Sequence, residues 1–264
     1  MTAHTATANG LYYELRGAGP AVLFIAGGTG DAGQFGKTAE LLADEFTVIT
    51  YDRRGNSRSV LNVDDAGAAA SIATQADDAA TLIDACGVGR ATVFGTSGGA
   101  TIALEMLTSH SQVMKGVVVH EPPLFALLPQ TGPSPMQPIF DQFETDPRAA
   151  VERFVRVNAG DAAWEALEPA VRERMLGNGT ALFRHELPHF LSYRPDEDRL
   201  RTTRVPVSLL RSRDGKEFAL PVNAWLEQAL GVETAVLTGH HAPYLDAPEV
   251  FAQEVRPILR QLSS

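Results

Sequence analysis

Cysteine occurs once in the 264 residues, as Cys86, so no intrachain disulfide can staple the fold. That usage suits a reducing compartment. The thiol falls in "LIDACG", at helical spacing from Leu82 and Ile83, which makes it a small core hydrophobe rather than a nucleophile. Long apolar runs are also missing: none approaches the roughly 20 residues that a membrane span requires. The opening "MTAHTATANG" has neither a basic n-region nor an apolar h-region. A cytoplasmic protein is expected. Positive charge is in the minority, with 22 Lys and Arg against 32 Asp and Glu and a formal charge of -10. Without a basic tract, nucleic acid and anionic membranes are poor partners, and a small-molecule substrate is the expected partner. The composition is compatible with a homo-oligomer and does not specify one.

What is present is ample material for a core. Hydrophobic residues make up 44% of the chain, a length that suits one large domain or two small ones. Strand and helix patterns alternate from the start. "HTATA" and "LYYEL" flank Asn9-Gly10, a strong hairpin signal. Strand-like runs follow at 21–26, 46–52, 91–95, 116–120, 205–210 and 233–238. Those up to residue 120 are short, continuous and apolar, as in parallel strands covered on both faces. Helical spacing occupies roughly 33–44, 70–86, 98–109, 217–230 and 248–262, with an Ala-rich stretch around 66–80. Between Pro122 and Thr203 the rhythm breaks: prolines are frequent and amphipathic helices dominate. A helical insertion between strands six and seven of a parallel sheet reads as a cap over the sheet's carboxyl edge, where open α/β sheets bind ligands. The fold class is α/β, with a core at 1–121 and 204–264 and a cap at 122–203.

"GTSGG" at 95–99 matches G-x-S-x-G in the required context of strand, sharp turn and helix. Ser97 must sit on a tight turn that lifts its hydroxyl above the sheet, so its neighbours must be almost free of side chains. Gly95 and Gly99 satisfy that demand, and Gly98 supplies an unobstructed N–H after the nucleophile. The bland alternative is a Gly-rich turn with a solvated serine. A serine needs a base, and two of the seven histidines, His240 and His241, fall in "LTGHHAPYLDAPEVF" after the last strand.

With these segments in order, the chain resembles the α/β-hydrolase superfamily over nearly its whole length. The elbow "GTSGG", the segment "YDRRGNSRS", the cap position and the "GHHAPYLDAPEVF" tail carry the resemblance. The family's register implies His241 as the base, two residues before Pro243, with His240 as the alternative base or a pocket-wall group. It also implies Gly28 as the second oxyanion donor. Many relatives carry a histidine before this glycine pair, whereas here Ala26 stands, which removes a polar group that often steadies the loop.

A rival reading uses the same loop. "GTGDAG" at 28–33 is a formal G-x-G-x-x-G after a strand, with Asp52 ending the next one, as in NAD(P)-dependent oxidoreductases. That reading leaves the elbow and the His241 tail unexplained. Asp52, Arg53 and Arg54 are expected to stabilise their loop by local pairing.

Two carboxylates compete to orient the histidine. Asp214 in "RDG" follows strand seven at the family's commonest acid position, though "RDG" is also a good turn. Glu121 in "VVVHEPP" follows strand six, and the resemblance to zearalenone-lactonase-like hydrolases, with their His-Glu-x-Pro context, favours it. The expectation is a serine hydrolase of an ester or lactone, using Ser97, His241 and Glu121 and needing neither metal nor cofactor. Phe154, Trp164, Phe183, Phe190 and Tyr193 of the cap are candidates to wall an apolar pocket. Carbon–carbon bond hydrolysis and cofactor-free perhydrolysis are the runners-up on the same fold. A ligand-binding member without turnover is the alternative of another class, and the intact Ser, His and acid set argues against it.

Overall fold

The computed structural model describes residues 3–59, 70–129, 134 and 136–264. Eight strands form one sheet: β1 (His4–Ala8), β2 (Leu11–Arg16), β3 (Ala21–Ile25), β4 (Thr47–Tyr51), β5 (Ala91–Thr96), β6 (Met114–His120), β7 (Val207–Asp214) and β8 (Thr234–His240). Their spatial order is β1-β2-β4-β3-β5-β6-β7-β8. The first two form the expected hairpin, closed by Asn9 and Gly10 at φ 50° and 81°, the pair of positive dihedrals a two-residue turn requires. β2 meets β4 antiparallel, and every pairing from β4 through β3 to β8 is parallel.

The continuous apolar runs become fully buried strands: all five residues of β3 and all six of β5 are buried. Alternate side chains feed two cores. Leu23, Ile25, Val93, Val117 and Val119 pack on one face, under helices Ile72–Ala85, Gly98–Ser109 and Ala219–Leu230. Val22, Phe24, Phe94 and Val118 pack on the other, under helices Gly36–Leu42 and Pro248–Ser263. β8 reads as apolar but lies at the sheet edge and is half exposed. Cys86 packs against the first core, and burial lifts its thiol pKa to about 11.

Element ends depart from the sequence pattern where hydrogen bonding outruns hydrophobicity. β7 continues through the polar Arg211–Asp214, because its ladder with β8 extends past the apolar run. The helix expected from residue 33 begins as a 3-10 turn, Ala32–Phe35, since Asp31 accepts from the Gly33 N–H and sets a tighter first turn. Residues 66–69 of the Ala-rich stretch lie outside the described residues.

Between β6 and β7 every described regular element is helical, the longest being Pro147–Ala159. These helices have a small core of their own, built on Ile139, Phe143, Val151, Leu182 and Phe183. They lie over the carboxyl edge of the sheet: the Phe154 ring packs against Gly28 and the Phe190 ring against Gly98.

Candidate active site

Ser97 stands between β5 and helix Gly98–Ser109 at φ 51° and ψ -126°, backbone space that L-residues avoid. The flanking glycines are obligatory: a Cβ on Gly95 would lie 2.3 Å from the Gly99 carbonyl oxygen, and one on Gly99 2.1 Å from that of Ile25. Gly98, as the first helical residue, has an N–H without an intrahelical acceptor. Among the described residues, five non-glycine residues have positive φ, namely Asn9, Thr29, Ser57, Ser97 and Glu121. All but Asn9 follow the carboxyl ends of β3, β4, β5 and β6, so strain of roughly 1–3 kcal/mol apiece is concentrated at one rim of the sheet.

Glu121, another of the four strained residues at this rim, is fully buried. Its Oε2 lies 2.5 Å from His241 Nδ1, and its Oε1 accepts from the Ser212 N–H at 2.8 Å. Burial pushes its pKa up, but the hydrogen bond from His241 and the Ser212 amide outweigh burial, leaving the carboxyl below its ordinary value. Asp214 is exposed at the end of β7, where its backbone pairs with His240. The loop after it leaves room for Glu121: a Cβ on Gly215 would meet Glu121 Oε1 at 2.0 Å. Gly215→Ala is therefore expected to displace the carboxylate and lower kcat by about 10–100-fold, the scale of a misplaced catalytic group. Unchanged kcat in that variant would separate Glu121 from turnover.

His240 is held elsewhere. Its Nε2 lies 2.9 Å from the Asp246 carboxylate and its Nδ1 accepts from the Ala242 N–H. The sequence pattern did not single out His120, just before Glu121. Fully buried, it bridges three strands, with Nδ1 2.9 Å from Thr96 Oγ1 and Nε2 3.0 Å from Ser212 Oγ. Burial takes its pKa from 6.5 down to about 4, so the ring is neutral at pH 7. The unfolded chain then binds the proton that the folded one refuses, and stability falls as pH drops from about 6.5 to about 4. Thermal melts across that window should show a downward slope that is shallower in His120→Gln; equal slopes would remove His120 as its source.

Two chambers meet at Ser97 and His241, each partly open to solvent. The larger, with about 590 Å³ of empty space, is apolar, walled by Phe125, Phe140, Leu182, Phe190 and Phe218. The smaller, about 390 Å³, is lined by Gln34, Met175, Tyr244 and the backbone of Gly27 and Gly28. Phe154 and Asn158 border both. Only Phe154 and Phe190 of the five expected cap aromatics face these chambers. Phe183 instead packs on Phe140, Phe143 and Phe154 inside the inserted helices. Trp164 is buried with Arg156 and Arg172 over its ring, and the Tyr193 hydroxyl donates to Glu105 at 2.8 Å. Periodicity marks an aromatic as buried without saying against what.

The "GTGDAG" loop is covered rather than open to a dinucleotide. Thr29 and Asp31 are fully buried, Asp31 is paired with Arg174, and a Cβ on Gly33 would lie 2.5 Å from Val171. The polar group that Ala26 lacks is replaced by others: Thr29 and Gln34 donate to the Gly28 carbonyl at 2.6 and 3.2 Å. Local pairing of "DRR" holds only in part. Asp52 pairs with Arg58 and Arg54 with Asp78, whereas Arg53 reaches Glu186 in the inserted helices.

Fold and site together define a class, and sequence comparison agrees with it: residues 22–254 match the model of the Alpha/beta hydrolase family. The chain belongs to that family. It is 31% identical over 257 residues to the uncharacterized hydrolase YraK of Bacillus subtilis, covering 95% of this chain and 93% of that one. A zearalenone hydrolase of Cladophialophora bantiana is 28% identical over 254 residues, covering 92% and 90%. Among solved structures, the N-acyl homoserine lactonase AidH superposes with a TM-score of 0.78 at 20% identity, covering 99% of this chain and 98% of that one. At that identity the match shows the fold alone. No helix among the described residues is long and apolar enough to cross a membrane.

Proposed function

We propose that this protein is a serine hydrolase that cleaves an ester or lactone of a small, largely apolar molecule through an acyl-enzyme. The observation that carries the proposal is the short Glu121–His241 contact beside a serine on a strained strand-to-helix turn. In this reading Ser97 Oγ attacks the carbonyl carbon while His241 Nε2 takes its proton, and Glu121 holds the ring's tautomer and stabilises the imidazolium. The carbonyl oxygen becomes an anion facing the Gly28 and Gly98 N–H groups. Collapse expels the alkoxide, which takes the proton back from His241, and water then releases the acid by the same route. For a lactone the alkoxide stays tethered to the acyl group. Residues 122–203 act as the cap and the remainder as the core.

The larger chamber suits an apolar group and the smaller, with the Gln34 and Asn158 amides, a more polar one. The zearalenone hydrolase relative lends support to a lactone or ester. A screen of p-nitrophenyl esters and lactones of varied size, with fluorophosphonate labelling, tests this. Turnover is expected with one label, on the "GTSGG" peptide. Phe190→Ala or Phe154→Ala should shift the ratio of bulky to small ester turnover about tenfold, the scale of lost apolar contacts. Trp164→Phe and Tyr193→Phe should leave that ratio alone. Labelling that persists in Ser97→Ala, or no turnover of any member, would overturn the reading.

A further inference from the structure

Arg53 heads the fully buried side chains by volume, and its guanidinium is satisfied on every side. Nε donates to the Ala26 carbonyl at 3.1 Å and Nη2 to the Gly27 carbonyl at 2.8 Å. The other edge grips Glu186, with Nη1 to Oε1 at 2.6 Å and Nη2 to Oε2 at 2.8 Å, while Nη1 also donates to the Gln75 side-chain carbonyl. Asn56 Nδ2 donates to Glu186 Oε1 at 2.8 Å. The Phe190 ring, which walls the larger chamber, lies 5.7 Å from the guanidinium carbon.

The Gly27 carbonyl and the Gly28 N–H belong to one trans peptide, so they point in opposite directions. Tying that carbonyl to Arg53 turns the Gly28 N–H away from the guanidinium, and Gly28 borders both chambers beside Ser97. A hydrogen bond at one end of a peptide unit also polarises the other end. Glu186 closes a six-residue π-helical turn, Ala181–Glu186, of the inserted helices, a rare conformation that is frequent at functional sites. A second bridge from these helices reaches the same rim. Asn178 Nδ2 donates to the Thr29 carbonyl at 2.7 Å and its Oδ1 accepts from the Ser57 N–H at 2.8 Å, holding two of the strained residues.

We propose that Arg53 is a positioning residue of the oxyanion hole and that Glu186 sets it, so that the hole is complete only when the inserted helices are seated. This rests on the hydrolase reading above. Seating the helices over a bound substrate and aligning the Gly28 N–H are then one event, which couples binding to the chemical step.

Arg53→Lys keeps the charge but presents a point cation that cannot grip two carbonyls and a carboxylate at once. Its kcat should fall by about 100-fold, the scale of one lost oxyanion donor, with KM within about threefold. Glu186→Gln should fall about tenfold in the same manner, and it carries the test if Arg53→Lys does not fold. The discriminating probe is an alkyl trifluoromethyl ketone. Ser97 Oγ adds to its carbonyl carbon, the serine proton passes to His241, and the carbonyl oxygen becomes the anion. The matching secondary alcohol fills the same space without an oxyanion. In the variants the ketone's inhibition constant should rise by the factor that kcat/KM falls, while the alcohol's stays within about threefold. Ketone and alcohol weakening together, or neither weakening, would overturn the inference and leave the hydrolase reading standing. A wild-type protein that neither turns over esters nor binds the ketone would overturn both.

Discussion

Ser97→Ala is expected to fold normally and to lose kcat by about a million-fold, since removing a triad serine leaves only the catalysis of binding and the oxyanion hole. Its turn should keep its geometry, because alanine at φ 51° is as strained as serine there. Ser97→Gly relieves that strain. Glycine's freedom in the unfolded chain offsets part of the gain, so a net stabilisation of about 1 kcal/mol over Ser97→Ala is expected. For a chain of this size that corresponds to a Tm higher by roughly 2–4 °C. The two variants together separate chemistry from strain: both dead, with the glycine variant melting higher. An active Ser97→Ala would end the mechanism, and equal melting points would show that the turn stores no strain.

Glu121→Gln should come next in severity. The amide can fill the same space and still accept from the Ser212 N–H, but it can present an NH₂ to His241 Nδ1 and favour the wrong tautomer. A loss of about 10⁴ in kcat is the scale for a triad carboxylate made an amide. Glu121→Asp should also lose heavily, because the carboxylate is held at once by the Ser212 N–H at 2.8 Å and His241 at 2.5 Å, and a side chain one methylene shorter cannot reach both. Asp214→Asn, exposed on the far side of the Gly215 turn, should cost less than about tenfold. The reverse ranking, with Asp214→Asn nearly dead and Glu121→Gln nearly normal, would move the acid to β7. Stability responds as well. Glu121's carboxyl lies below its ordinary value of 4.5 in the folded protein, so the stability it contributes is present above that value and is lost as pH falls through the folded-state pKa.

Much of this architecture can be read from the chain because its signals are local. A continuous apolar run such as "AVLFIA", rich in β-formers and flanked by Gly and Pro, fits a strand covered on both faces, and β3 is buried from Ala21 to Ile25. "GTSGG" defines its turn because the glycines face backbone atoms at close range, a constraint that leaves few sequence alternatives. The hairpin at Asn9-Gly10 is legible for the same reason, with both dihedrals fixed by two adjacent residues. Signals that pair distant segments are weaker. Glu121 and Asp214 each stand at a strand end, and strand position does not rank them; only the resemblance of the "HEPP" context favours Glu121. What separates the two is that Gly215 leaves Glu121 space and that Ser212 and His241 converge on its two oxygens.

The sequence by itself determined the strands of the sheet and the strained serine, since each follows from hydrophobic period or turn chemistry within a dozen residues. The register of the histidine tail came from the resemblance to the family. Tertiary structure decided the rest. It brought Glu121 rather than Asp214 to the histidine, sent Trp164, Phe183 and Tyr193 into packing, and placed Arg53 under the Gly27–Gly28 loop with Glu186, 133 residues away, as its partner. A charged pair so far apart leaves no mark in either segment's pattern. Its meaning lies in the desolvated space the two share, where neither charge can remain without the other.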